Sequence, residues 1–367
     1  MALILFGGSF DPPHNGHLRI ANAASSELFG AKVLFIPAKA PRWKITEESE
    51  NDRLAMVEAA IAGNPCFSIS DYEIKEKDDI SYTIKTVQHF KSIYKKEDLY
   101  FLIGADEVNS FDRWKDPDLL SKTCHILFSP RPGFELKKEN IRRFNMRGLH
   151  FYDSGEVASH DIRNLRSIDT PKTVINYIEK HKLYYVKKIE GTIGSRRTVH
   201  SFSVAHLCEE IVRSNHLHSL FGKGYIAGAI HDLGKYLSDA EGRLKAKESF
   251  PNLNVKNLPS YAVHQYSGVT LAKELFGIED EEIFDAIKNH CTGSKRMSPL
   301  AMILYSADKI EPTRGYDSSN LIADCLHDYE KGFKNVLKAN KEFLEKKTKT
   351  RIEDPLSKEC FDYYSGE

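Results

Sequence analysis

The sequence contains no apolar run that approaches the roughly 20 residues of a membrane-spanning helix. It also has no excess of charge of either sign, because its 367 residues include 52 Lys and Arg and 52 Asp and Glu. Without a basic field, binding to a nucleic-acid polymer is not expected. We therefore expect neither a membrane nor a nucleic-acid polymer among the partners. Small anionic ligands stay open, because a local cluster of cations can bind phosphate without changing the total charge.

Cysteines are few and scattered along the chain. The six of them form no CxxC pair, which argues against a disulfide framework and against a zinc knuckle. The apolar start, Met1–Gly8, lacks the basic region and the cleavage signature of a signal peptide, so a buried strand is the better interpretation. We accordingly expect a cytoplasmic protein with reduced thiols, and the sequence leaves homo-oligomerisation open.

The spacing of apolar residues divides the chain into two parts. A chain of 367 residues is too long for one typical core, and its first half alternates short apolar strands with helical patterns, which predicts a doubly wound α/β parallel sheet. The predicted strands are Leu3–Phe6, Lys32–Pro37, Tyr100–Gly104, His125–Ser129 and His150–Tyr152. From about residue 192 the strand signals disappear and amphipathic helices dominate. We therefore predict two domains, 1–187 and 192–367, the second of them all-α.

The first predicted strand runs into the segment GGSFDPPHNGH, residues 7–17. Gly7 and Gly8 allow a sharp turn close to a ligand, and the helix that follows offers free N–H groups and a partial positive charge to phosphate. His14 and His17 can face one pocket, where they would donate hydrogen bonds to a triphosphate and stabilise a pentavalent phosphorus. A structural turn with incidental histidines is the alternative, which the HxGH spacing disfavours.

Further motifs follow in order along the first half: Ser81-Tyr82-Thr83, then Ile103-Gly104-Ala105-Asp106, then Trp114, then Arg131-Pro132-Gly133. With HxGH, this ordered set resembles the nicotinate-nucleotide adenylyltransferases (NadD type) of the HxGH nucleotidyltransferase superfamily. The resemblance implies in-line attack of a mononucleotide phosphate on the α-phosphorus of ATP, with Mg²⁺ and without a covalent enzyme intermediate. In agreement, no serine or cysteine nucleophile with a base is evident nearby. A pantetheine or cytidylyl acceptor is the alternative, which Trp114 and the motifs disfavour.

The resemblance also implies roles for individual residues. His14 and His17 would contact the ATP phosphates, Lys44 would be a mobile phosphate contact, and Arg163 would hold the outgoing pyrophosphate. Trp114 would stack on the pyridine ring, which its flat face suits. The substrate-binding set would comprise Gly7, Gly8, Ser9, Phe10, Tyr82, Thr83, Gly104, Asp106, Trp114 and Arg131. Simpler interpretations are a core position for Trp114, a solvated surface for Lys44 and a helix cap for Asp106.

Two segments depart from the family's pattern. Residues 40–44 read APRWK where the family has a PPHK-like loop, and His160 replaces a threonine three residues before Arg163. These departures leave open the phosphate contacts of the two loops. They also leave open whether the acceptor is nicotinate mononucleotide or nicotinamide mononucleotide.

The helical half places histidines and aspartates at successive helices or helix ends. They are His200, His231, Asp232, His264, His290 and Asp308. Imidazoles and carboxylates are costly in an apolar helical interior unless they are paired or bind metal. Their nitrogen and oxygen donors suit iron, manganese or similar divalent ions, and Asp232 could bridge two metals that generate hydroxide at neutral pH. A single such histidine is more often structural, so the prediction depends on the ordered set.

This set resembles the HD-domain phosphohydrolases, and more closely the YqeK-type symmetrical diadenosine tetraphosphatases, whose most selective segment here is Ala307–Arg314. The resemblance implies a centre of two divalent metals, iron or alternatively manganese, that cleaves diadenosine tetraphosphate into two ADP. Asp232 and Lys235 would be catalytic, and Arg314 would steady phosphates. A surface position without a function is the alternative for Lys235 and for Arg314. A nucleotide-sensing HD half is the alternative, which the complete ligand set disfavours. The sequence thus predicts a bifunctional enzyme acting on ATP, nicotinate mononucleotide and diadenosine tetraphosphate.

Overall fold

The computed structural model describes residues 2–39, 45–76, 82–150, 157–347 and 354–365. The chain forms two compact units, the first made of Met1–Arg163 and Asp169–Tyr184, the second of Asn164–Ile168 and Tyr185–Glu367. Among the described residues, no helix combines the length and the hydrophobicity that spanning a bilayer requires.

A six-stranded, fully parallel sheet forms the centre of the first unit. In chain order the strands are β1 (Ala2–Gly8), β2 (Lys32–Pro37), β3 (Phe67–Ile69), β4 (Asp98–Gly104), β5 (His125–Ser129) and β6 (Arg147–Gly148). They are arranged in the order β3-β2-β1-β4-β5-β6. The winding reverses at β1, so the carboxyl end of β1 lies at the switch point where such sheets bind ligands. The predicted parallel α/β fold is confirmed.

Each central strand contributes to two apolar cores, one on either face of the sheet. Leu3 and Leu5 belong to one buried cluster, whereas Ile4 and Phe6 belong to the other. Successive side chains of a strand point to opposite faces, so a continuous apolar run of this kind is buried on both. Nine helices of the described residues belong to this unit. They are α1 (Asn15–Glu27), α2 (Glu50–Ile61), α3 (Tyr72–Lys75), α4 (Thr83–Ile93), α5 (Ala105–Ser110), α6 (Pro117–Thr123), α7 (Lys138–Arg143), α8 (Ser159–Arg163) and α9 (Lys172–His181).

In the second unit every regular element of the described residues is helical, which confirms the all-α prediction. The α-helices are α10 (Tyr185–Ser214), α11 (Lys223–Ile230), α12 (Asp239–Ser249), α13 (Val263–Phe276), α14 (Glu281–Asn289), α15 (Pro299–Ile310), α16 (Ser319–His327), α17 (Tyr329–Lys347) and α18 (Pro355–Ser365). Short 3₁₀ segments include Leu233–Tyr236 and Pro312–Arg314. Helix α10 runs through the predicted inter-domain segment and has non-helical dihedral angles at Gly194 (φ 71°).

A close contact between α10 and α11 fixes the middle of the helical unit. A Cβ on Gly228 would lie 2.5 Å from Cα of Ala205, so only glycine permits this approach. The contact places His231, at the carboxyl end of α11, beside His200 of α10, with ring centroids 5.3 Å apart. Local packing therefore determines where the predicted ligands meet.

Two candidate active sites

The predicted glycine turn and histidine pair meet at the carboxyl end of β1. His14 is the residue before α1, and its backbone N–H donates a hydrogen bond to Nδ1 of His17 (3.1 Å). The two rings lie next to each other at a centroid distance of 3.7 Å, with their planes tilted by 32°. Because Nδ1 of His17 accepts a hydrogen bond, the neutral ring carries its proton on Nε2. His17 therefore presents an N–H donor, as a phosphate contact requires.

His14 is buried, and its Nδ1 has no hydrogen-bond partner among the described residues. Burial lowers the pKa of His14 to about 4, although Asp169 acts in the opposite direction. The ring is therefore neutral at pH 7, and it can donate one hydrogen bond without the cost of a buried charge. A buried polar atom without a partner needs an explanation, and a bound polar ligand is one.

The side chain of Phe10 belongs to the core of the first unit rather than to its surface. It is buried and packs against Phe6 and Phe35, at centroid distances of 5.5 and 5.7 Å, and against His17 at 5.1 Å. A Cβ on Gly8 would lie 3.0 Å from the Phe10 ring, so this glycine accommodates an aromatic neighbour. Any contact of Phe10 with a substrate would thus involve its backbone.

Arg163 lies beside the glycine turn, as its predicted role requires. Its Nη1 donates to the backbone carbonyl of Asp11 and its Nε to Oε1 of Glu47, both at 2.6 Å. The Asp11 carboxylate is buried and accepts hydrogen bonds from the Tyr184 hydroxyl (2.7 Å) and from the backbone N–H of Glu47 (2.8 Å). Asp11 therefore links the turn, the segment after β2 and the end of the first unit.

The later motifs lie at and after the carboxyl end of β4. Gly104 precedes α5, where its N–H donates to the Glu107 carboxylate (3.1 Å), and Asp106 is exposed in the first turn. Trp114 is half-buried and packs against Phe111 at a centroid distance of 5.0 Å. It lies on the same apolar cluster as the partly buried Tyr82. Trp114 thus contributes to the core, and its stacking on a substrate ring stays a prediction.

Three other predicted residues of the first site are placed as follows. Thr83 is the first residue of α4, directly after Tyr82. Arg131 is exposed in the turn after β5. Lys44 lies outside the described residues, so its contact with phosphate stays a prediction.

In the helical unit, all six predicted metal ligands come together. Nε2 of His264 and Nε2 of His290 lie 3.4 and 3.7 Å from Oδ1 of Asp232. On the other side, Nε2 of His231 lies 3.5 Å from Oδ2 of Asp232 and 3.6 Å from Oδ1 of Asp308. Nε2 of His200 is 3.2 Å from the same Asp308 oxygen.

These atoms form two groups that could each hold an ion, namely His200, His231 and Asp232, and Asp232, His264 and His290. Asp232 is the residue that the two groups share, with one oxygen toward each. This arrangement agrees with the predicted role of Asp232 as a bridge. The buried Nε2 of His231 has no hydrogen-bond partner among the described residues. A buried nitrogen without a partner is available to a metal, so the donor set fits a divalent ion.

Hydrogen bonds at Nδ1 orient three of the imidazoles. Nδ1 of His231 contacts the carbonyl of Gly228 (2.7 Å), and Nδ1 of His290 contacts the carbonyl of Ile287 (2.6 Å). Nδ1 of His200 contacts Oε1 of Glu311 (2.7 Å). A carbonyl accepts only from N–H, so the rings of His231 and His290 carry a proton on Nδ1 and direct Nε2 inward. Metal-binding histidines are commonly oriented in this way.

Four cationic side chains contact these ligands directly, among them Lys309, whose Nζ lies 3.0 Å from Oδ2 of Asp308. The Arg197 guanidinium is hydrogen-bonded to Oδ2 of Asp232, and Nη2 of Arg314 lies 2.6 Å from Oδ1 of Asp308. Nζ of Lys235 is 3.4 Å from Nε2 of His264. Burial raises the pKa of Asp308, but the neighbouring cations and histidines outweigh it and hold that pKa well below its usual value. The carboxylates are therefore ionised and available to cations.

Comparisons with known proteins assign both units. The cytidylyltransferase-like family model matches residues 5–175, and the HD domain model matches residues 197–313. A Mycoplasma genitalium protein named probable nicotinate-nucleotide adenylyltransferase/Ap4A hydrolase is 35% identical, over 85% of this chain and 88% of its own length. A Mycoplasma pneumoniae protein of the same name is 32% identical, over 91% and 98%. The chain belongs to this nicotinate-nucleotide adenylyltransferase/Ap4A hydrolase family.

A relative whose name gives the adenylyltransferase activity alone matches about half of this chain. The Clostridium tetani protein named probable nicotinate-nucleotide adenylyltransferase is 35% identical, over 49% of this chain and 97% of its own length. The chain is thus a nucleotidyltransferase joined to an HD hydrolase.

In this member of the adenylyltransferase/Ap4A hydrolase family, two arginines at the sites had no role predicted from the sequence. Arg53 of α2 is fully buried and donates to the carbonyls of Ser9 (2.7 Å) and Lys39 (3.0 Å), so it joins the glycine turn to the segment after β2. Its position on the apolar face of α2, three residues before the buried Met56, was the available signal. Arg197, which contacts Asp232, begins the run Arg197-Thr198-Val199-His200 that contributes to the HD resemblance, but the sequence assigned it no role.

Proposed function

We propose that the first unit transfers AMP from ATP to nicotinate mononucleotide, and that the second hydrolyses diadenosine tetraphosphate to two ADP. The observation that carries the first proposal is the pair of adjacent imidazoles, His14 and His17, at the switch point of the sheet. The second is carried by the Asp232 carboxylate, which faces imidazoles on both sides. The names of the two Mycoplasma relatives point to the same pair of reactions.

In the transferase reaction, a phosphate oxygen of the mononucleotide would attack the α-phosphorus of ATP. The bond from that phosphorus to the bridging oxygen would break, and pyrophosphate would leave with the electron pair. The Nε2–H of His17 and the first N–H groups of α1 would stabilise negative charge on the phosphates. Lys44 and Arg163 would neutralise the leaving pyrophosphate, and Mg²⁺ would be supplied with ATP. The unit would act by positioning and by charge, without a nucleophile of its own.

In the hydrolase reaction, His200, His231, His264, His290, Asp232 and Asp308 would hold two divalent metals, iron or manganese. Such a pair supplies a hydroxide at neutral pH and neutralises charge at the phosphorus. Asp232 would bridge the pair. Lys235 and Arg314 would move from ligand side chains to phosphate oxygens of the substrate. Cleavage of the central phosphoanhydride with one water then yields two ADP.

The first proposal is tested with an acceptor panel. The full chain is incubated with ATP, Mg²⁺ and nicotinate mononucleotide, nicotinamide mononucleotide or phosphopantetheine. We expect deamido-NAD and pyrophosphate, with His17→Ala inactive. His150→Ala is the matched control, because this histidine is exposed and lies two residues after the end of β6. Preference for another acceptor would contradict the proposal.

The second proposal is tested with diadenosine tetraphosphate and the full chain loaded with Fe²⁺ or Mn²⁺. We expect ADP as the product, and we expect Asp232→Asn to lose both metal and turnover while the transferase reaction is unchanged. Tight binding of the dinucleotide without turnover would replace the hydrolase with a nucleotide sensor. A cytoplasmic location follows from these proposed substrates and stays part of the proposal.

A further inference from the structure

Large exposed side chains lie close in sequence to the metal ligands of the second unit. Val199, Tyr236 and Tyr316 expose 61%, 63% and 51% of their surface. Val199 adjoins the ligand His200, Tyr236 follows Lys235, and Tyr316 lies two residues after Arg314. Both cations contact metal ligands. Large apolar side chains grouped at a charged centre are a feature of binding surfaces.

Tyr236 lies four residues after Asp232. It ends the 3₁₀ segment that begins directly after Asp232, and it follows Lys235, whose Nζ reaches His264. The Tyr236 hydroxyl is 3.9 Å from the position that a Cβ on Gly194 would take. The ring thus reaches the turn of α10 that also carries Arg197, the partner of Asp232.

Tyr316 lies on the side that Asp308 occupies. Its hydroxyl donates a hydrogen bond to the carbonyl of Lys309, the residue after Asp308. Arg314, two residues before it, binds the Asp308 carboxylate, and Gly315 between them has a φ of 80°. The hydroxyl is therefore engaged by the protein, which leaves the flat faces of the ring for other contacts.

The two tyrosines thus accompany different carboxylates of one centre, and each lies within two residues of a cation suited to phosphate. A base stacks on an aromatic ring whatever its hydrogen-bonding edge. We infer that Tyr236 and Tyr316 are the base-stacking residues of the hydrolase site, each holding one adenine of a dinucleotide whose phosphates lie at the metals. This inference depends on the proposed hydrolase function and adds a specificity element to it.

The test compares Tyr236→Ala and Tyr316→Ala with the conservative Phe variants, all as metal-loaded full chains. KM and kcat are measured with diadenosine tetraphosphate, and inhibition constants with ADP and with inorganic tetraphosphate, which has no base. Tyr363→Ala is the matched control, since Tyr363 of α18 is also exposed. Transferase activity checks that each variant is folded in its other unit.

We expect each Ala variant to raise KM and the ADP inhibition constant by about fivefold or more, which is the scale of one lost stacking contact. We expect kcat and the inorganic tetraphosphate constant to stay within about twofold, and the Phe variants to behave as wild type. Unchanged KM in both Ala variants, or an equal rise for ADP and inorganic tetraphosphate, would overturn the inference. Absence of turnover in the wild type is a different result, because it would overturn the proposed hydrolase itself.

Discussion

The Arg163 guanidinium and the Glu47 carboxylate form an ion pair beside the glycine turn, with Nε 2.6 Å from Oε1. The Arg163 side chain is mostly buried, whereas about half of the Glu47 side chain is exposed. Arg163 is the residue that we expect to bind the outgoing pyrophosphate. Glu47 therefore occupies a position at which a phosphate oxygen would compete with it for the same guanidinium.

Glu47→Gln should consequently favour phosphate binding. Loss of this partly exposed pair is worth up to about 1 kcal/mol, so we expect KM for ATP to fall about two- to fivefold with little change in kcat. Steady-state kinetics of deamido-NAD formation measures both. Glu139→Gln, at an exposed position of α7, is the control. A KM that is unchanged or higher would show that Glu47 does not compete with phosphate.

Burial of His14 makes the stability of the first unit depend on pH. The pKa of His14 is about 4 in the folded chain, against an ordinary value of 6.5. Between these values the unfolded chain binds a proton that the folded chain does not, so stability is lost as the pH falls. From His14 alone we expect a loss of about 2 kcal/mol between pH 7 and pH 5.

Urea unfolding of wild type and His14→Asn at the two pH values measures this effect. Both tryptophans of the chain, Trp43 and Trp114, lie in the first unit, so their fluorescence reports on that unit alone. The Asn variant should lose about 2 kcal/mol less than wild type over this pH range. An equal loss in both proteins would mean that the His14 ring is charged or solvated in the folded state.

The sequence predicted the elements that are long and periodic. The two-sided apolar runs of β1, β2, β4 and β5 and the helices around the metal centre are confirmed. Strand β3 was missed, because it has three residues and is only half-buried, so it leaves no apolar run. The last strand was expected at His150–Tyr152, whereas the structure has β6 at Arg147–Gly148. Residues 151 and 152 lie outside the described residues.

The candidate sites were predictable where chemistry is concentrated in a motif. Histidines and aspartates that recur over apolar helices predict a common centre from the sequence alone, and here all six ligands meet. Arg53 contacts Ser9, which is 44 positions away in the sequence, and Arg197 contacts Asp232, which is 35 positions away. No local sequence pattern encodes contacts of this kind. Sequence periodicity reports the face of a helix but not the partner that this face meets.

Gly16 lies between the two histidines of HxGH, directly before His17, and its lack of a side chain leaves room for the His14 ring. A Cβ there would lie 3.0 Å from Nδ1 of His14 and 3.3 Å from Cγ1 of Val157. Alanine favours a helix by about 1 kcal/mol over glycine, so Gly16→Ala should fold while displacing the His14 ring. We expect kcat/KM of the transferase to fall about tenfold to a hundredfold.

Gly191→Ala is the matched control, since a Cβ at that helical position would have no neighbour within 4 Å. Deamido-NAD formation and the melting temperature of both variants are measured together. Full activity in Gly16→Ala would show that the position of the His14 ring is not critical for the reaction.

The metal ligands of the second unit carry enough compensating charge to keep it folded without metal. Arg197 pairs with Asp232, while Arg314 and Lys309 pair with Asp308. We therefore expect a chelator to abolish the hydrolase while leaving the helical content of the unit intact. Free Mn²⁺ at a concentration of about 100 times its dissociation constant should then raise the free energy of unfolding of this unit by about 2.7 kcal/mol.

Calorimetry of the full chain, with tryptophan fluorescence to follow the first unit separately, measures this stabilisation. Asp232→Asn should abolish it, because the substitution removes the carboxylate that both ligand groups share. Loss of helices on chelation would mean that the compensating charges do not keep the unit folded. An undiminished metal effect in Asp232→Asn would mean that the ions bind elsewhere and that the six gathered side chains serve only the fold.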